Sequence, residues 1–197
     1  MNFIKSFFEE NRKLFFSVAL VWICACVTGS LYGSKIDGES FLILSKSISS
    51  SFNPAPGIGE MIGKGFILKT GLFLGVMIAS TGPLLSPIIY LISAFDGFSL
   101  GISCALIIRM YSLKGSLINL IIYIFPLSLS LPLCFMLFVS GLKFSLAPRE
   151  NILNERVSVR RKQWFSYFLL QGTISLCLFL IKIAEAFLCR EIITFIT

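Results

Sequence analysis

The stretch FDGFSLGISCALIIRMYSLKG, residues 95–115, carries an unbroken run of apolar and small residues from Gly97 to Ile108, bounded by Asp96 and Arg109. As a helix those residues rise only about 18 Å, whereas bilayer hydrocarbon is about 30 Å thick and takes about 20 residues to cross. Alone, the run suits a buried helix of a soluble domain, a re-entrant segment, or a span whose ends are eased by snorkelling. The rest of the chain has to decide.

Composition removes the soluble domain. The chain has 197 residues, 56% of them hydrophobic, 14% charged and none of them His, with a mean hydropathy of +0.89. Surface-to-volume scaling leaves a soluble domain of this size too little interior for so much apolar surface. The formal net charge of +7, from 17 Lys and Arg against 10 Asp and Glu, fits the positive-inside bias of membrane proteins, and nucleic acid is not expected as a partner. Cys24, Cys26, Cys104, Cys134 and Cys177 lie within apolar segments, where cysteine serves as a small hydrophobe. Cys24 and Cys26 point to different faces of a helix, against a redox or metal pair. Without His, most catalytic and transition-metal constellations are gone, so neither cofactor nor metal is expected.

The expected fold class is an all-α integral membrane protein, a single multi-pass domain over 1–197 with five transmembrane helices. Residues 14–32 follow a head bearing Lys5, Arg12 and Lys13 and read as an uncleaved signal anchor. Residues 33–69 form an external segment in which Phe41, Leu44, Ile48 and Phe52 make a helical stripe, suited either to the membrane surface or to packing on the bundle. The second span, 70–94, carries Pro83 and Pro87, and the fourth, 117–142, carries Pro126 and Pro132, so both are expected to be proline-broken. A basic cytoplasmic linker, 143–163, has Lys143, Arg149, Arg156, Arg160, Arg161 and Lys162 against Glu150 and Glu155. The last span covers 164–188.

Parity answers the opening question. Two basic regions on the cytoplasmic side require an even number of crossings between them. Counting 97–111 as a span gives four; omitting it gives three, unless a pair of re-entrant segments restores parity. The N-terminus is then cytoplasmic and the C-terminus external. Asp96 is expected at a cytoplasmic turn and Arg109 at the far interface, two end-anchoring charges rather than a relay.

Small residues recur every four positions at Gly71, Gly75 and Ala79, and again at Gly97, Gly101 and Ala105. Such spacing lets helix backbones approach closely in lipid, either within the chain or as a seam for a partner. Lys182 and Glu185, three apart, read as a helical ion pair. The paired prolines also suit the broken helices of a transporter.

The order of these features resembles the stage II sporulation protein M family, small five-span membrane proteins of endospore-forming bacteria. The resemblance rests on the head FFEENRKLFFSVALVWICACVTGSLYG, residues 7–33, and on the block TGPLLSPIIYLISAFDGFSLGISCALIIRMYSLKGSLINLIIYIFP, residues 81–126. Gly82, Pro83, Gly97, Phe98, Gly101, Lys114, Gly115 and Pro126 match the family pattern, as does GLKFSL ending at Leu146. Leu127 and Ser128 stand where the family often has polar amides. The resemblance implies a non-catalytic scaffold in the bacterial cell membrane, at the sporulation septum or engulfing membrane, holding the peptidoglycan-degrading stage II sporulation proteins D and P. The alternative is a transporter or ABC-type permease subunit.

Overall fold

The computed structural model describes residues 7, 9–52, 70–119, 125–146 and 157–196, and all its regular elements among them are helical. In chain order they are α1 (Arg12–Lys35), α2 (Glu39–Phe52), α3 (Thr70–Ala79), a 3-10 turn (Pro83–Leu85), α4 (Ser86–Asn119), α5 (Phe125–Leu146) and α6 (Val157–Ile196). Among the described residues, four segments are long and apolar enough to cross a membrane: Arg12–Lys35, Pro83–Met110, Leu127–Leu146 and Gln163–Ala184. α3 is a shorter apolar helix of about 15 Å.

The quoted stretch lies inside α4, and the turn expected at Asp96 is not there. The span reaches its length by extending toward the N-terminus, through residues assigned from sequence to a separate crossing. The chain turns earlier. α3 stops at Ala79, Ser80–Gly82 are non-helical, and Pro83 opens the 3-10 turn that leads into α4. Proline suits a helix start, because its missing N–H would have no partner in the first turn. In α5, Pro126 is the second residue and Pro132 lies within a helix that continues past it, so the expected fourth span, 117–142, shows no break at Pro132, while its residues 120–124 lie outside the described residues.

Contacts along the helices fix their directions. Ser17 bonds Tyr90, Trp22 bonds Asp96, and Arg109 reaches Gly33 and Ile36, so α1 and α4 run parallel. α3 runs antiparallel to α4, with Gly75 opposite Ile92. α5 descends beside both: Phe135 meets Phe15 and Trp22 edge-on, Gly141 lies against Ile89, and Ser145 donates to the Gly82 carbonyl over 2.6 Å. α6 returns along α5, with Phe144 stacked on Tyr167 at 4.2 Å and Gln171 reaching Leu137. Glu10, Gly82, Lys143 and Trp164 therefore share one end of the bundle, and Lys143 pairs with Glu10 at 3.1 Å. Because α1 and α4 are parallel, the chain between Lys35 and Pro83 has to come back the length of α1.

α5 is the central helix. Cys134 to Val139 are all buried, joined in the core by Leu142, Val18, Trp22, Val76, Ile89 and Leu178. Outward faces carry Leu20, Leu91, Phe95, Phe165 and Leu180, all exposed. In a bilayer those side chains meet lipid, so their exposure carries no hydrophobic cost.

The α1–α4 seam is close. Backbone atoms of Trp22 stand under 3.0 Å from where a Cβ on Gly97 would lie; those of Cys26 and Ser30 do so at Gly101, and those of Phe98 at Gly29. Gly33 faces Ile102 and Ala105. Glycine on both helices is what allows the approach.

Candidate functional site

Polar groups in an apolar bundle are costly unless satisfied, which makes their positions informative. Three such places occur among the described residues.

The first is Asp96. It stands thirteen residues from both Pro83 and Arg109, about 20 Å along the helix from each. A carboxylate at a span centre costs about 2.5–3.5 kcal/mol on insertion scales. The indole Nε1–H of Trp22 donates to Asp96 Oδ2 over 3.1 Å. Trp22 can reach it because Gly97 leaves room for its backbone, and its ring is held edge-on by Phe135 at 5.9 Å. Asp96 shares a helical stripe with Ile89, Ser93, Leu100 and Ile107, of which Ile89, Ser93 and Ile107 are fully buried. Ser93 Oγ has no hydrogen-bond partner. One level further toward Pro83, Ser17 Oγ and Tyr90 OH are 2.9 Å apart.

The second is Arg109, at the opposite end of α1. Its guanidinium donates to the carbonyls of Ile36 over 2.5 Å and Gly33 over 3.4 Å, pairs with Asp37 at 3.1 Å, and lies 4.6 Å from the centre of the Phe41 ring. The final carbonyls of α1 lack intrahelical partners, and a cation there also opposes the negative end of the helix dipole. Phe41 belongs to α2, so Arg109 ties the start of the 36–69 segment to the bundle. α2 keeps Phe41 and Leu44 half-buried and exposes Leu42 and Ile43, while the side chains of Ile48 and Phe52 lie outside the described residues.

The third joins α3, α5 and α6. Gln171, fully buried, donates through Nε2 to Leu137 O (3.1 Å), Ser140 Oγ (2.9 Å) and Tyr167 OH (3.0 Å). Ser80, at the end of α3, hydrogen-bonds Tyr167 as well.

Asp96 and Arg109, both expected at helix ends, therefore stand apart: Asp96 is mid-span, and Arg109 is at the α1 terminus. Gly97, Gly101 and Ala105 lie against α1, Gly75 meets Ile92, and Gly71 faces open space. Gly82 and Pro83 make the turn into α4, and the Phe98 ring sits 6.0 Å from that of Tyr32. Lys114 and Gly115 continue α4, and the side chains of Lys114 and Glu185 lie outside the described residues, as do residues 53–69 and 147–156. Sequence reasoning missed Gly29, Gly33, Trp22 and Gln171. The four-residue spacing of Gly29 and Gly33 was a usable signal; nothing local marked Gln171 or Trp22.

No group of three or more Cys, Asp or Glu able to hold a metal occurs among the described residues. The four long apolar helices fit a multi-pass membrane protein. Comparison of the chain with family models, curated proteins and solved structures finds no match to any of them.

Proposed function

We propose that the chain is a non-catalytic membrane scaffold that crosses the membrane five times and presents the segment beginning at Ile36, with α2 in it, outside the cell. In this reading it holds peptidoglycan hydrolases, the stage II sporulation proteins D and P, at the septum during engulfment of the forespore. The observation that carries it is the Arg109 clamp, which gives the external segment a fixed root on the bundle. A docking arm needs such a root to transmit position rather than merely tether. The parallel course of α1 and α4 supports five crossings, since a descending stretch ending in α3 then supplies the fifth. The Glu10–Lys143 pair joins the two basic regions at one end of the bundle, which the positive-inside bias makes cytoplasmic. The family resemblance supplies the septum and the enzymes. Its Gly82, Pro83, Gly97 and Gly101 lie at the α3–α4 turn and the α1–α4 seam, so the resemblance rests on residues that shape the bundle.

Orientation is tested in a background lacking the native cysteines. Ser49→Cys is expected to react with an impermeant thiol reagent in intact cells, and Ser158→Cys is not; reversed labelling would overturn the topology. For function, deletion in a spore-former is expected to block septal wall thinning and displace the hydrolases, whereas purified protein leaves peptidoglycan intact. Normal engulfment without the gene, or wall fragments released by the protein alone, would sink the scaffold reading. Asp96 at mid-span favours a second reading, a permease subunit, for which ion flux in proteoliposomes is the test.

A further inference from the structure

The chain changes direction where α1 ends. Gly38 has a φ of 68°, a left-handed conformation that glycine adopts without strain, so α2 does not continue the line of α1. The Leu42 N–H then donates to the Gly38 carbonyl, and the Phe41 ring lies 4.6 Å from the Arg109 guanidinium. Lys35 is the last residue of the apolar segment Arg12–Lys35, and Arg109 is the last but one of Pro83–Met110. The first turn of α2 is therefore held at the level where two long apolar helices end. Its two faces differ. Phe41 and Leu44, three apart, are half-buried, and Phe41 rests on Arg109. Leu42 and Ile43 are 64% and 68% exposed, and Lys46, four and three residues further on, shares their face and is exposed as well. At the same spacing the sequence continues with Ser49 and Ser50. Along that face the residue types pass from aliphatic to cationic to hydroxyl.

We propose that this face of α2 is a lipid contact: Leu42 and Ile43 enter the acyl boundary of the leaflet beside the bundle, and Lys46 reaches lipid phosphate. The contact follows from the level of α2 and goes beyond the scaffold reading, whose failure would leave it standing. Level and charge together select lipid as the occupant. Two large aliphatic side chains fixed at the end of the spans, on the face turned away from Arg109, lie where headgroups meet acyl chains. A cation one turn further on complements the phosphates, and helices so placed bind by buried apolar area plus attraction to anionic lipid. Glu39 shares the face, but it opens the helix, where the positive end of the dipole offsets its charge. The stripe expected to choose between membrane surface and bundle thus takes the bundle through Phe41, and the opposite face takes the membrane. Seated on Arg109 on one side and in the leaflet on the other, the first turn of α2 has two points of support.

The test uses the full chain, lacking its native cysteines, in vesicles of phosphatidylethanolamine and phosphatidylglycerol. A bimane label is attached to Leu42→Cys, Ile43→Cys or Ser49→Cys in turn. On the first two it is expected to be quenched by nitroxide-bearing lipids, at a depth of about 5–10 Å into the headgroup and acyl boundary. Aqueous iodide is expected to quench it several-fold less there than on Ser49→Cys. Lys46→Glu should weaken the lipid quenching, and unchanged quenching would overturn the phosphate contact. Iodide quenching at Leu42→Cys and Ile43→Cys as strong as at Ser49→Cys would place the face in water. Protection from both quenchers would place it under protein. Lipid quenching that falls as protein is raised relative to lipid would give it to a second copy of the chain. Each of these three results would overturn the proposal.

Discussion

Gly101→Leu is expected to destabilise the bundle by about 3 kcal/mol, while Ser99→Leu, two residues away, changes stability by about 0.5 kcal/mol or less. Both add the same bulk to one helix, and only the surroundings differ. A Cβ at Gly101 would stand under 3.0 Å from the backbone of Cys26 and Ser30, whereas Ser99 is exposed. Backbone cannot rotate away as a side-chain tip can, so α1 would have to move off α4 and give up contacts along the whole seam. That movement would also draw Trp22 from Asp96 and Gly33 from Arg109, since both pairings depend on the register of the same two helices. Unfolding in bicelles, followed by helical circular dichroism, measures the difference. Equal losses for the two variants would show that the close approach at Gly101 contributes nothing.

The helical membrane class was legible because it rests on composition and segment length, quantities that tertiary contacts do not alter. The start of the chain was read well for the same reason: 14–32 against α1 at Arg12–Lys35. The middle was not. Asp96–Gly97 has the composition of a turn, and Pro83 with Pro87 that of a kink within a span. Pro83 acts locally, at the turn into α4 rather than as a kink, whereas the Asp96–Gly97 signal was overridden by neighbours distant in sequence. Trp22, seventy-four residues earlier, gives Asp96 a donor inside a helix, and the backbone of α1 occupies the space that Gly97 leaves. The small-residue stripe through Gly97, Gly101 and Ala105 was visible, but its partner helix was not, because spacing says that a face is narrow and not what fills it. The Gln171 network was out of reach for a related reason: its partners lie on other turns and another helix, so no spacing along the chain announces it.

Gln171 then makes a second large effect measurable. Gln171→Ala is expected to cost about 3 kcal/mol, and Gln171→Leu about 1 kcal/mol. Alanine removes the buried side chain and its three donated hydrogen bonds together, leaving a cavity between α5 and α6. Leucine restores most of the volume and loses only the polar ties. Those ties are partly replaceable, because Ser140 Oγ already donates to Leu137 O over 3.0 Å and Tyr167 also hydrogen-bonds Ser80. Interhelical hydrogen bonds in membranes contribute less than desolvation alone would suggest, since helices separated in lipid also find partners. Packing should therefore account for the larger share of the alanine loss. If the leucine variant is as unstable as the alanine variant, the hydrogen bonds rather than the filled volume hold α6 to α5. The expected order would then be reversed in its cause, and Ser140→Ala and Tyr167→Phe would each have to show a comparable loss.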